Sequence, residues 1–351
     1  MTTYVSDLEE AVIQHYQLPW PKVDENAYPA VVTTLNTYAD FVLEDGWNAN
    51  GHMQRLLSTG QGEALTALRE HWDRVLGKDI APVAQSAKTL ANTVYEIPQT
   101  IATLKQAIAM AALNLASSNG ITKTAEGLSF VADAGAGAAV MEEAAARNAN
   151  VVRQKLTEMV LSAESDIRRS LTALLETEEL IALESVPSDL SNGVGGAVAP
   201  GDGITGAVGG VAGWTTGGGM AGGVAGWTTG DAQHAGGNGG AGGDLAGDTG
   251  VRVDHDEHKI AASRIASVSD DVLGRTSAEL ANAASQHATA RDSGDFAKAF
   301  APDIDLILDR LAAATAAIGD HLAGALPDAI LLISNDQQAT DNRNRKNFGE
   351  L

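Results

Sequence analysis

The run Asp254-His255-Asp256-Glu257-His258 crowds five metal-competent side chains into little more than one helical turn. Imidazole nitrogens and carboxylate oxygens are donor types that hold divalent metals. The same run suits a helix start, where carboxylates meet the positive end of the backbone dipole. That second reading is adopted, and no metal is assigned. Gly201-Asp-Gly203-Ile-Thr-Gly206 has the spacing of a dinucleotide-binding turn. Such a turn grips pyrophosphate only between a buried strand and a helix, and the flanking sequence offers neither. Gly239-Gly-Ala-Gly-Gly-Asp244-Leu-Ala246 matches one calcium nonapeptide, although those repeats share each ion between stacked copies. His71 stands beside Trp72 with no nucleophile near it in sequence, and reads as a structural histidine. No G-x-S-x-G elbow, H-E-x-x-H pair or cysteine occurs. The expectation is a protein that is not an enzyme, without catalytic, cofactor-binding or metal-binding residues.

The elements around these residues are helices of modest side chains. The chain has 351 residues, a formal net charge of −22, and only 4% aromatics, so any core rests on Leu, Ile, Val and Ala. Strong negative charge disfavours nucleic acid, which needs clustered Lys and Arg, and adsorption to anionic lipid. No Lys or Arg occurs between Arg169 and Arg252. The first sixteen residues lack a basic segment followed by an apolar one, so no cleavable leader is expected. Outside the glycine tract no stretch of about 20 apolar residues is evident, so no integral membrane segment is expected.

That tract divides the chain: 24 of the 38 glycines lie between Asn192 and Gly250. Glycine loses the most backbone entropy on ordering, so residues 191–250 are expected to be a low-complexity linker. Within it Gly209-Gly-Val-Ala-Gly-Trp214-Thr-Thr-Gly217 recurs as Gly222 to Gly230, carrying Trp227. On either side lie helical blocks, residues 1–190 and 251–342, with a polar tail at 343–351. The fold class expected is all-α, long helical hairpins in two separate units.

Ser6 and Glu9 have capping-box spacing, and Leu8, Val12, Ile13 and Tyr16 then share one face. Pro19-Trp20-Pro21 stops that helix. Asp24 to Asn26 start the next, and Ser58-Thr-Gly60-Gln-Gly62 reads as a helix–helix turn. In the helix that follows, Pro82 and Pro98 should kink or break the backbone. Val152, Leu156, Met159, Ala163, Ile167, Leu171 and Leu174 step by three and four as a seam that Pro187 ends. Beyond the tract, Asp254 opens a helix, Ser293-Gly294-Asp295 turns it, and Ile304, Leu308, Leu311, Thr315, Ile318 and Leu322 line the returning arm. Pro327 should bend that arm. Leu311 is expected at an interface, and Gly319 on the exposed side.

Trp20-Pro21-Lys22-Val23-Asp24-Glu25, a long helix, a Gly-x-Gly turn and Ala64-Leu-Thr-Ala-Leu68 before Trp72 resemble the WXG-like domain that begins CpnT-type exported proteins of actinobacteria. Gly60 stands where that family often has tryptophan, and Gly62 retains its second glycine. The C-terminal block resembles the EspC-like proteins associated with type VII (ESX) secretion, through Val251-Arg-Val-Asp254, the turn near Phe296 and the Ala-rich return arm. Members of that group carry a Tyr-x-x-x-Asp/Glu export signal after the second arm. Here Gln337-Gln-Ala-Thr-Asp341 keeps the acidic residue and replaces the tyrosine.

The resemblance implies a secretion-associated protein, secreted or envelope-bound by a signal-peptide-independent route, acting through helix–helix assembly; the alternative is a cytoplasmic location. Trp20, Gly60, Gly62, Trp72, Leu308, Leu311 and Ile318 are the turn and interface candidates; Gln337 and Asp341 form a degenerate export signal. The implied partners are a small WXG-type protein or a second copy, with a secretion ATPase or chaperone. Two other readings are a toxin-delivery module lacking its effector domain, and a phage or cell-envelope protein forming helical oligomers.

Overall fold

The computed structural model describes residues 6–124, 127–130, 137–195 and 254–348. Residues 191–195, read from the sequence as the start of the linker, are helical, and the rest of the glycine tract, with its Trp repeat and its dinucleotide-like and calcium-like motifs, lies outside the described residues. Within them the protein is all-α apart from one small β-hairpin.

Helix α1, Asp7–His15, starts at a complete capping box: the Ser6 hydroxyl accepts from the Glu9 amide while the Glu9 carboxylate accepts from the Ser6 amide. A 3₁₀ turn at Glu25–Ala27, capped by Asp24, leads into α2, Tyr28–Ser58. Gly62 then takes φ 149°, a backbone region that favours glycine, and opens α3, Glu63–Arg74. The chain continues without a break through a π-helical segment, Val75–Ile80, into α4, Ala81–Ser118. Pro82 therefore does not break this helix. A proline ring presses on the carbonyl four residues back, and the wider π turn absorbs that conflict in the preceding segment. Pro98 also sits inside α4.

The chain leaves α4 through Gly120 at φ 63° and forms β1, Ile121–Thr124, antiparallel to β2, Gly127–Phe130. The all-α expectation includes no strand here. Helix α5, Gly137–Leu175, runs back along α4, with Leu156, Ile167, Leu171 and Leu174 buried and Met159 exposed. Its seam ends at a turn around Glu176–Thr177, and not at Pro187, which lies inside α6, Glu178–Gly195.

The second hairpin begins with α7, His255–Asp271, capped by the Asp254 carboxylate, which accepts from the amides of Asp256 and Glu257. A second π segment, Val272–Thr276, joins α7 to α8, Ser277–Asp292. A short α9, Asp295–Lys298, and Phe300 lead into α10, Ala301–Asp320. A third π segment, His321–Ala325, precedes Pro327 just as the first precedes Pro82, and α11, Leu326–Phe348, follows. Residues 343–348, read from the sequence as part of a polar tail, thus belong to a helix.

The two hairpins are not separate units. Helix α2 packs on α4 from its own hairpin and on α7 and α8 from the other, while α10 packs on α6. Leu35, Met53, Val83 and Leu90 share one core with Ile265, Ile304, Ile307 and Leu311. Each apolar stripe is too broad for one antiparallel partner, and a second hairpin removes the remainder from water. Each fully buried Leu or Ile contributes roughly 1.5–3 kcal/mol. The helix spanning 301–343 is long and apolar enough to cross a membrane by length and composition, contrary to the sequence reading. Here its stripe faces this shared core.

Candidate functional site

The chemistry-bearing side chains of the described residues converge on the face between the hairpins, at three levels along α2. At the first level, the Trp20–Glu25 segment receives the turn of the second hairpin. The Asp24 amide donates to Ser293 Oγ at 2.9 Å. Gly294 presses so closely on Lys22 that a β-carbon there would stand 1.6 Å from its carbonyl oxygen. Only glycine fits. Beneath them Lys105 Nζ pairs with the buried Glu25 carboxylate at 2.7 Å, donates to the Val23 carbonyl at 3.1 Å, and sits 5.8 Å from the centre of the Trp20 ring. Alongside, Phe300 meets both Tyr28 and Phe296.

The second level is a waist where all three π segments meet α2. Val272 and Thr276, Ile80, and Leu322, one segment each, surround a void no larger than a water molecule beside Asp45 and Gly46. Asp45 lies on the buried face of α2, three residues after Val42. Its carboxylate accepts from the Thr276 hydroxyl at 2.6 Å and from Arg275 Nη2 at 2.7 Å. Arg275 also pairs with Glu44 at 3.1 Å and lies 4.3 Å from the centre of the Phe41 ring. Three neighbours on α2 therefore grip one guanidinium. Burial pushes the Asp45 carboxyl above the usual range, while Thr276 and Arg275 oppose the rise. Close by, Thr315 gives its own hydrogen to the Leu311 carbonyl at 2.7 Å, so the Tyr38 hydroxyl donates to Thr315 Oγ1 at 2.5 Å.

At the third level Arg55, largely exposed, forms an ion pair with the buried Glu257. His71 and His321 face each other with Nε2 atoms 3.0 Å apart, and Arg74 Nη2 stands 2.9 Å from His71 Nδ1. Burial drives both imidazoles well below their ordinary value, His71 to about 3 and His321 to about 4. Asp79 is pushed up to about 7, chiefly by burial and then by the Asp189 carboxylate on α6.

The turn and interface candidates fall as follows. Trp20 is half-buried against the core at the first level. Gly60 lies in the α2–α3 turn, and Gly62 supplies that turn's left-handed residue. Trp72 is fully buried and donates its ring N–H to Asn50 Oδ1 at 2.9 Å. Leu308, Leu311 and Ile318 are buried on α10. Gln337 is half-buried and Asp341 exposed on α11, past the Ser334 hydroxyl that meets His255 Nδ1 at 2.8 Å.

Gly319 is buried, not exposed: an added β-carbon would lie 2.4 Å from Leu273 Cδ2. The histidine–carboxylate run is dispersed among structural tasks. Asp254 caps α7, Glu257 pairs with Arg55, and His258 Nδ1 donates to the Asp254 carbonyl at 2.8 Å. Among the described residues no three such side chains gather as a ligand set.

Sequence reasoning missed Tyr38, Asp45, Arg275, Thr276 and His321. Two signals stand in the chain: an aspartate at a core-facing step of α2, and the echo of Val75-Leu-Gly-Lys78 in Val272-Leu-Gly-Arg275. No family, curated protein or solved structure matches the chain in the comparisons made.

Proposed function

We propose that this protein is a non-enzymatic component associated with a type VII (ESX-like) secretion route, exported or envelope-bound, that works by helix–helix assembly. What supports the reading is where its polar chemistry is spent. Tyr38 bonds Thr315 and Asp45 bonds Arg275 and Thr276, each across the two hairpins, and the Trp20–Glu25 segment that carries the family resemblance seats the other hairpin's turn. A chain so arranged is a self-paired bundle that presents surfaces. In this reading α11, with Asp341 exposed past the last contact of α7, is the part offered to the export machinery, and a small WXG-type protein or a second copy pairs with the outer helix faces.

The test is export. A tagged full-length chain is produced in an actinobacterial host with an intact type VII ATPase and in the same host lacking it. The reading expects the chain in the culture filtrate or envelope fraction only when the ATPase is present, and less of it for Asp341→Ala. Equal release from both hosts, or retention in the cytoplasm of both, contradicts it.

A further inference from the structure

We infer that the His71–His321 contact is an acid-released latch between the two hairpins, one that lets the end of the bundle beyond the π segments open while its helices persist. The inference rests on how protons must be arranged at the contact, and it holds whether or not the chain is exported.

Arg74 is a permanent cation and only donates. Its Nη2 stands 2.9 Å from His71 Nδ1, so that nitrogen accepts and the His71 proton resides on Nε2. That N–H points at His321 Nε2, 3.0 Å away, which must accept in turn. The His321 proton is thereby placed on Nδ1, a buried atom with no hydrogen-bond partner. Every position in this relay is fixed by the one before it. A proton added to His71 sets an N–H against the Arg74 guanidinium. A proton added to His321 sets N–H against N–H across the interface. Each places a donor where the contact needs an acceptor, and adds a charge at a buried site.

The charges that act on the rings agree. Arg74 opposes protonation of both, His321 also opposes it at His71, and no group on α2, α7, α10 or α11 is among the charges shifting either ring. Asp79 in the first π segment feels Arg74 and the Asp189 carboxylate on α6. In separated hairpins the imidazoles regain an ordinary affinity for protons, so acid favours separation.

The fold also supplies the place to bend. His321 opens the third π segment, and His71 lies just before the first. Gly77, Gly274 and Gly324, one in each segment, face open space, and π turns are weak points in a helix. The Asp45 contacts lie at that waist and the Ser293 contact on its near side, and neither carries a histidine.

The chain has no cysteine, so cysteines placed at the exposed Asp73 and Ala323 give two unique spin labels on opposite hairpins. Their separation is measured by pulsed electron resonance on the full chain from about pH 7.5 to about pH 4.5, with far-UV ellipticity on the same samples. The latch requires the distance to lengthen and broaden on acidification while helicity holds. In His71→Gln/His321→Gln, and partially in each single variant, the change should move down by about one pH unit or vanish. An unchanged distance in the parent overturns the inference, and so does lengthening that coincides with loss of helicity. If the double variant does not fold, the single variants decide: opening at the parent's pH in both overturns it.

Discussion

Arg275 shows how a single side chain joins the hairpins. Its charge is shared between Glu44 and the buried Asp45, its plane rests on Phe41, and Thr276 beside it completes the Asp45 carboxylate. Replacing Asp45 with Ala leaves a hydroxyl and part of a guanidinium unpaired. Because Arg275 keeps some solvent, the expected loss is about 2–3 kcal/mol, below the full range for a buried pair. Chemical denaturation of the variant checks this, and Arg275→Met in the same background should recover part of the loss. Gly319 offers a test with a change of sign. Gly319→Ala pushes on Leu273 and should cost about 1 kcal/mol, whereas in a Leu273→Ala background the better helix propensity of Ala should raise stability by about 0.5–1 kcal/mol.

The buried titrating groups oppose one another with pH. Asp79 binds its proton more tightly folded than unfolded, so its contribution is greatest in acid and is lost as pH rises from its ordinary value through about 7. His71 and His321 bind theirs less tightly folded. Their contribution is full above the ordinary imidazole value of 6.5 and lost as pH falls toward 4 and 3. Asp79→Asn should therefore raise the urea midpoint at about pH 8 and leave it nearly unchanged at about pH 4, with the parent most stable between these limits. His71 reads as a structural histidine from the chain, but its partner does not, because a lone Asp, His or Thr on a helix shows no sign of what lies across an interface. Trp72, Leu308, Leu311 and Ile318 were legible, since burial of large apolar groups follows from helical periodicity alone.

At the scale of elements, the local signals are those the sequence states most openly. Ser6 with Glu9, Asp24 and Asp254 each cap the helix their spacing implies. Asp254→Ala should cost about 1 kcal/mol of stability by removing the acceptor for two amides at the start of α7. Gly62→Ala should cost about 1–3 kcal/mol, because φ 149° is a conformation that L side chains rarely adopt. Both are read from thermal or urea unfolding against the parent. The prolines were the misleading signal. Pro82 and Pro327 each sit two residues past a π segment, and Pro98 and Pro187 lie within helices, so none ends its helix. Packing on neighbouring helices holds the backbone where propensity alone would release it. The β-hairpin at Ile121–Phe130 was missed because each strand has only four residues.

For the whole molecule, two hairpins separated by the tract between Gly195 and Asp254 close into one bundle. The all-α class was legible, because the seams repeat at three and four over many turns. Their pairing was not. An apolar stripe states that a face is covered without stating whether the cover is a sister hairpin, a second copy or another protein. Here α2 meets α7 and α8 over most of its length, from Asp24 against Ser293 to Arg55 against Glu257. The most direct test of that pairing is to insert a protease recognition sequence at Gly218 of the full chain, cleave it, and measure mass by light scattering under native conditions. The account predicts that the two fragments co-elute as one particle with the mass and helicity of the uncut chain, and that Asp45→Ala weakens this association. Fragments that separate on cleavage, each folded and monodisperse, would contradict it.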